Sequence, residues 1–240
     1  MDVVISDRSV PGRRRDQAEA GSGPPPDFRA VILDMDGVIV DSEPLHERAF
    51  YEVLEELGYG RDTGLRFADY VGRSDFELWA DFVARRQPAQ TLDQLLAMKR
   101  DRVIEVMRRE QPIFAGLPEL VKRLAARAPL AVASGSDRAV IDAVLALKGL
   151  RGFFSVIVSA SEVARGKPAP DIFLRTAGLL NVPPRDCWVI EDSKPGVAAA
   201  LAAGMRVIAI TNTHPADELR QATQVVRTYA EIERLLLRPR

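Results

Sequence analysis

Val31-Ile32-Leu33 is a short, wholly apolar run, broken at once by Asp34-Met35-Asp36-Gly37-Val38. A run of this length rich in β-branched residues reads as a strand buried on both faces. The same language returns at Pro129-Leu130-Ala131-Val132-Ala133, Phe154 to Val158, Cys187-Trp188-Val189-Ile190 and Arg206-Val207-Ile208-Ala209-Ile210. Between these runs the apolar positions switch to helical spacing. Leu45, Ala49, Phe50, Val53, Leu54 and Leu57 predict a helix stopped by Gly58, with Asp41 or Ser42 as its cap and Pro44 in its first turn. Phe67 to Phe82 and Leu92 to Met107 continue the helical pattern, and no strand is predicted between Pro44 and Phe114. Further helices are expected at Leu117–Arg127, Ala139–Leu147, Asp171–Leu180 and Val197–Ala203, the last closed by Gly204. Strands alternating with helices imply right-handed crossovers and a parallel sheet, so the expected fold class is α/β. The expected core covers residues 28–43 and 115–240, with an inserted all-helical cap over residues 44–114.

Residues 1–27 read as a disordered tail. Gly21-Ser22-Gly23-Pro24-Pro25-Pro26 suits neither helix nor sheet, and Arg13-Arg14-Arg15 has no matching pattern. A solvated extension is preferred there over a nucleic-acid-binding arm. The formal net charge of −1 gives no reason to expect nucleic acid or an anionic membrane as partner. No apolar run approaches the roughly 20 residues of a membrane span, and the N-terminus lacks the apolar stretch of a secretory signal. The expected setting is therefore cytoplasmic, and a monomer is expected. Cys187 is the only cysteine, which rules out an intramolecular disulfide and suits a small core residue.

A parallel sheet brings the polar residues that follow its strands to one edge, where ligands of α/β proteins bind. Asp34 and Asp36 would crowd each other as like charges unless a proton or cation intervened. Mg2+, which prefers hard oxygen ligands, answers that need. Taken alone, an Asx turn explains the pair as well. Ser134, with the amides of Gly135 and Ser136 leading into a helix, can form an anion site or merely cap that helix. Lys167 is the basic residue of Gly166-Lys167-Pro168-Ala169-Pro170, where two prolines fix its place. Glu191-Asp192-Ser193 adds a second acidic pair, repulsive beside the first without a cation; a helix cap with a solvated glutamate is the alternative.

Asp34-Met35-Asp36-Gly37-Val38, Ser134, Lys167 and Glu191-Asp192 resemble, in order and spacing, the four motifs of the haloacid dehalogenase superfamily. The insertion between the first two motifs resembles its small-helical-cap branch, and within it the β-phosphoglucomutase-like and sugar-phosphate phosphatase group. The likeness runs from about Phe28 to Thr213 and implies a Rossmann-like parallel-sheet core. It further implies that Asp34 attacks phosphorus, that Asp36 is general acid and then base, and that Ser134 and Lys167 hold the phosphoryl oxygens. Asp34, the backbone carbonyl of Asp36, Asp192 and Glu191 would surround Mg2+. Substrate contacts are expected from Gly135, Ser136, His46, Arg73, Asp75 and Ser193.

Asp36 speaks for an alkoxide leaving group, which needs a proton, over a halide, which does not. Phosphonate-cleaving relatives use a cap lysine as a Schiff base, and the insertion offers only Lys99, far from its start. Aligned on Gly72, the place where mutases carry an arginine for a second phosphate holds Asp75, although Arg73 is near. After Ser134 the mutases carry Lys and Asn where this chain has Asp137 and Arg138. The expected function is Mg2+-dependent hydrolysis of small phosphorylated metabolites, sugar phosphates above all, through an aspartyl-phosphate. A phosphosugar mutase and a catalytically silent phosphometabolite-binding module are the alternatives.

Overall fold

The apolar runs become strands because each can hide both faces. The computed structural model describes residues 28–61, 63–70 and 75–237. Its strands are β1 (Ala30–Leu33), β2 (Leu130–Ser134), β3 (Phe154–Ser159), β4 (Cys187–Glu191), β5 (Arg206–Ile210) and β6 (Gln224–Val226). They form one parallel sheet in the order β3-β2-β1-β4-β5-β6. The chain moves outward from β1 through β2 to β3, then returns to the other side of β1 to start β4. The order therefore reverses between β1 and β4, whose register pairs Ile32 with Val189. That reversal opens a crevice at the carboxyl edge, and Asp34 and Asp192 stand one residue past the two strands that border it.

The described residues include eight α-helices: α1 (Glu43–Glu56), α2 (Asp75–Arg86), α3 (Leu92–Glu110), α4 (Leu117–Ala125), α5 (Arg138–Ala146), α6 (Asp171–Leu180), α7 (Lys194–Ala202) and α8 (Tyr229–Leu236). Alternate residues of β1 serve opposite faces, as the pleat requires. Val31 and Leu33 join an apolar cluster with Val121, Ile141 and Ile232. Ile32 joins another with Phe173, Val197 and Ala200. The expected Rossmann-like core is thus the one observed.

A third cluster, built on Phe50, Phe67, Trp79, Phe82 and Leu95, lies within the helical insertion. Trp79 meets Phe50 and Phe82 edge-on, with ring centroids 5.3 and 5.4 Å apart. Helix α3 belongs to both regions. Leu95 near its start packs in the insertion, while Val103, Val106 and Met107 pack with Val140 and Ile141 of α5. Arg102 of α3 also grips Glu52 and Glu56 of α1 at 3.2 and 2.6 Å. Helix α3 thus ties the insertion to α5 of the core, and Arg102 ties α3 to α1 within the insertion.

The structure departs from the sequence pattern in several places. The helix expected over Phe67–Phe82 is two pieces, a 3-10 turn at Phe67–Tyr70 and α2 from Asp75. The expected helix from Leu117 stops at Ala125, and the one expected from Val197 begins at Lys194, because Ser193 accepts the Gly196 N–H. Neither β6 nor α8 was expected. The tail and Arg73 lie outside the described residues. No described helix is long and apolar enough to cross a membrane.

Candidate active site

Asp34 leaves β1 with its N–H bonded to the Ile190 carbonyl at 3.0 Å, which locks it beside the end of β4. There it meets Glu191 and Asp192. All three acids are buried, and one carboxylate oxygen from each lies within 4.8 Å of the others. Lys167, carried on the proline-stiffened loop after β3, donates to Asp34 Oδ1 and to Glu191 Oε1, both at 2.6 Å. The other Glu191 oxygen accepts from the Asp192 N–H, the Ser193 N–H and the Ser193 hydroxyl at 2.8, 2.9 and 2.9 Å. Three segments far apart in the chain thus close on one point.

Charge decides what that point can hold. Fully ionised, the three buried carboxylates would outnumber the one ammonium by two negative charges. Burial opposes the Lys167 ammonium, but Asp34 and Glu191 outweigh it and hold its pKa above the usual lysine range. Asp34 is pushed well above the carboxylate range, first by burial and then by the neighbouring acids that Lys167 only partly offsets. Asp192 rises to about 7, through burial and then the Glu191 charge, against a lowering hydrogen bond from Thr213. Hard oxygens with two uncompensated negative charges suit Mg2+ in both ligand type and charge.

A pH prediction follows from those shifts. Without metal, Asp34 and Asp192 bind protons more tightly in the folded than in the unfolded chain. Metal-free stability therefore falls as pH rises from the carboxylate range through about 7. Mg2+ competes with those protons, so its stabilising effect grows over the same interval. The rise in thermal midpoint on adding Mg2+ should be clearly larger at about pH 8 than at about pH 5. Equal rises at the two pH values would contradict this picture.

Asp36 faces the cluster from the turn after Asp34 and is held by hydroxyls. Its Oδ1 accepts from Ser42 at 2.6 Å, and its Oδ2 from Ser136 at 2.6 Å and from Ser134 at 3.4 Å. Ser42 sits at the N-cap of α1 but makes no cap bond; its hydroxyl serves Asp36 instead. The Ser136 amide is likewise spent on Ser134 Oγ at 3.0 Å, so Ser136 meets Asp36 rather than standing as a free anion donor. Asp137 caps α5 through the Ala139 N–H, and Arg138 pairs with Asp142.

His46 and Asp75 are joined by a residue the sequence reading set aside. Lys99, almost fully buried on α3, donates to both Asp75 oxygens at 2.6 and 2.7 Å and lies 2.7 Å from His46 Nδ1. An ammonium only donates, so Nδ1 accepts and the neutral ring carries its proton on Nε2. Nε2 lies 3.9 Å from Asp36 Oδ1. Burial first, and then the Lys99 charge, lower the His46 pKa and favour that neutral form. Lys99, Ser42, Asn212, Thr213 and Tyr229 are the residues near the site that sequence reasoning missed as site residues. Only Lys99 carried a signal, as the sole lysine of a helical insertion.

Gly196 lies so close to Glu191 that a Cβ there would overlap its carboxylate. Gly196→Ala should displace Glu191 from Lys167 and lower stability by about 1–3 kcal/mol, the usual range for overpacking. Chemical denaturation of the variant checks this, and an unchanged midpoint would contradict it.

A family model for "haloacid dehalogenase-like hydrolase" matches residues 28–204. The chain belongs to the haloacid dehalogenase-like hydrolase family. Fructose-1-phosphate phosphatase YqaB of Escherichia coli (strain K12) is 35% identical over 181 residues, 75% of this chain and 95% of that protein. Hexitol phosphatase B of the same organism is 31% identical over 209 residues, 84% of this chain and 90% of its own length. Among solved structures, CbbY from Rhodobacter sphaeroides in complex with phosphate shares 27% identity with a TM-score of 0.75, covering 85% of this chain and 96% of that one. The expected superfamily and branch are therefore the observed ones, and the protein is an enzyme of this hydrolase family.

Proposed function

We propose that this chain is an Mg2+-dependent phosphatase acting on small phosphorylated metabolites, with sugar phosphates as the leading substrate class. One observation carries the reading: Lys167 bridges Asp34 and Glu191 beside Asp192, with Asp36 held opposite by three hydroxyls. Two curated relatives are named fructose-1-phosphate phosphatase and hexitol phosphatase, which supports the substrate class.

In this reading an Asp34 carboxylate oxygen attacks phosphorus as the bond to the sugar oxygen breaks. Asp36 gives its proton to the departing alkoxide. It then takes a proton from the water that attacks the aspartyl-phosphate, so that inorganic phosphate leaves and Asp34 is regenerated. Lys167 and Ser134 hold the phosphoryl oxygens, leaving positioning and charge neutralisation as the main catalytic work. Asp34, the Asp36 carbonyl and Asp192 would hold Mg2+, with Glu191 at its edge, and the ion when bound neutralises phosphoryl charge. Residues 44–114 act as a cap that limits water, and Gly135, Ser193, His46 and Asp75 line the space left for the sugar.

Hydrolysis is favoured over a mutase because Asp75 stands where a mutase arginine would. It occupies Lys99, the buried cation of the cap, so that this cation is not offered to a second phosphate. A panel of sugar and hexitol monophosphates tests the proposal. Phosphate should be released with Mg2+ present and not after chelation. β-Glucose 1-phosphate separates the alternatives: free phosphate indicates hydrolysis, glucose 6-phosphate without net release a mutase, and binding without turnover a silent module.

A further inference from the structure

The carboxylate of Asp192 is confined from two sides. On one, the Thr213 hydroxyl, three residues past β5, donates to Asp192 Oδ2. On the other, Gly37 approaches so closely at φ +74° that a Cβ there would overlap the same oxygen and touch the Thr213 methyl. Only glycine accepts that backbone and leaves that space. An ionised carboxylate accepts only, so the single Thr213 hydroxyl hydrogen points to Asp192. The remaining lone pairs then take His214 Nδ1, 3.0 Å away, as a donor. Asn212 next door ties down the turn itself. Its Nδ2 donates to the Gly37 carbonyl at 2.7 Å and to the Tyr229 oxygen at 3.0 Å, while the Tyr229 hydroxyl donates to the Val38 carbonyl at 2.7 Å. Gly37 is thus fixed against Asp192, and the hydroxyl selects one orientation of the carboxylate between them.

We propose that Thr213 is a positioning residue that aims Asp192 at the metal, a role that rests on the Mg2+ reading of the site. The loop after β5 then forms part of the metal centre without supplying a ligand. Partners of this kind change metal affinity by about 10–100-fold when removed.

Two variants separate the hydroxyl from the methyl. Thr213→Val keeps the methyl against Gly37 and removes the donor; Thr213→Ser does the reverse. Mg2+ binding to the full chain without substrate is read from the rise in thermal midpoint with Mg2+ concentration. Thr213→Val should need at least about tenfold more Mg2+ than wild type, and Thr213→Ser no more than about threefold more, with similar metal-free midpoints. The Mg2+ concentration for half-maximal phosphate release should shift by the same factor. Wild-type-like Mg2+ binding by Thr213→Val, or equal loss in both variants, overturns the assignment. If the valine chain does not fold, Thr213→Cys, a weak donor of similar size, is held to the same expectation. A wild type whose midpoint ignores Mg2+ overturns the metal reading itself, and this role with it.

Discussion

Asp34→Asn should lower the rate of phosphate release by on the order of 10^4-fold or more while leaving the fold intact. An amide cannot supply the attacking carboxylate oxygen, and the neighbouring Asp36 and Glu191 are held by other partners. Asp36 is bound to three hydroxyls, and Glu191 has both oxygens engaged. The variant also removes one of the crowded negative charges, while Lys167 keeps its bond to Glu191. Its thermal midpoint in chelator should therefore equal or exceed that of wild type. Initial rates together with thermal unfolding check both halves. Turnover within tenfold of wild type would remove Asp34 from the role of nucleophile.

Lys167→Met should be costly in two ways. The variant leaves Asp34, Glu191 and Asp192 buried with no compensating cation among the described residues. Removing one partner of a buried ion pair typically costs about 3–5 kcal/mol, and denaturant unfolding in chelator should show a loss of that size. Mg2+ should restore part of it by supplying the missing positive charge. The phosphoryl group also loses a fixed donor in a water-poor site, so kcat should fall by about 10^2–10^3-fold even with Mg2+ saturating. A stable variant with near-normal kcat would mean that the ammonium is only an ion-pair partner and has no part in the chemistry.

Much of this arrangement was legible because a parallel sheet converts sequence order into spatial position. Asp34, Ser134 and Glu191-Asp192 follow strands whose apolar runs are plain, so their meeting at one edge follows from topology. Lys167 was legible through its two prolines. What escaped notice depends on side-chain reach across elements that the pattern does not orient. Lys99 lies 53 positions from His46, and their bond exists only because α3 packs on α1. Ser42 looked like a helix cap by type and place, yet its hydroxyl points to Asp36. Asn212 and Thr213 follow the last long strand, where no second motif marked them. Strand β6 is three residues long, one of them polar, too short for any periodicity. Helix α8 did carry a readable signal, since Thr228 and Glu231 form a capping box.

The central claim is that Asp34 carries the phosphoryl group between substrate and water. The most direct measurement is to stop wild-type enzyme with acid while it turns over a sugar phosphate and map the modified peptide by mass spectrometry. The account predicts the added mass of one phosphoryl group on the peptide containing Asp34, removed by hydroxylamine as an acyl phosphate should be. Phosphate release with that peptide unmodified throughout, or with the group on another residue, would contradict it.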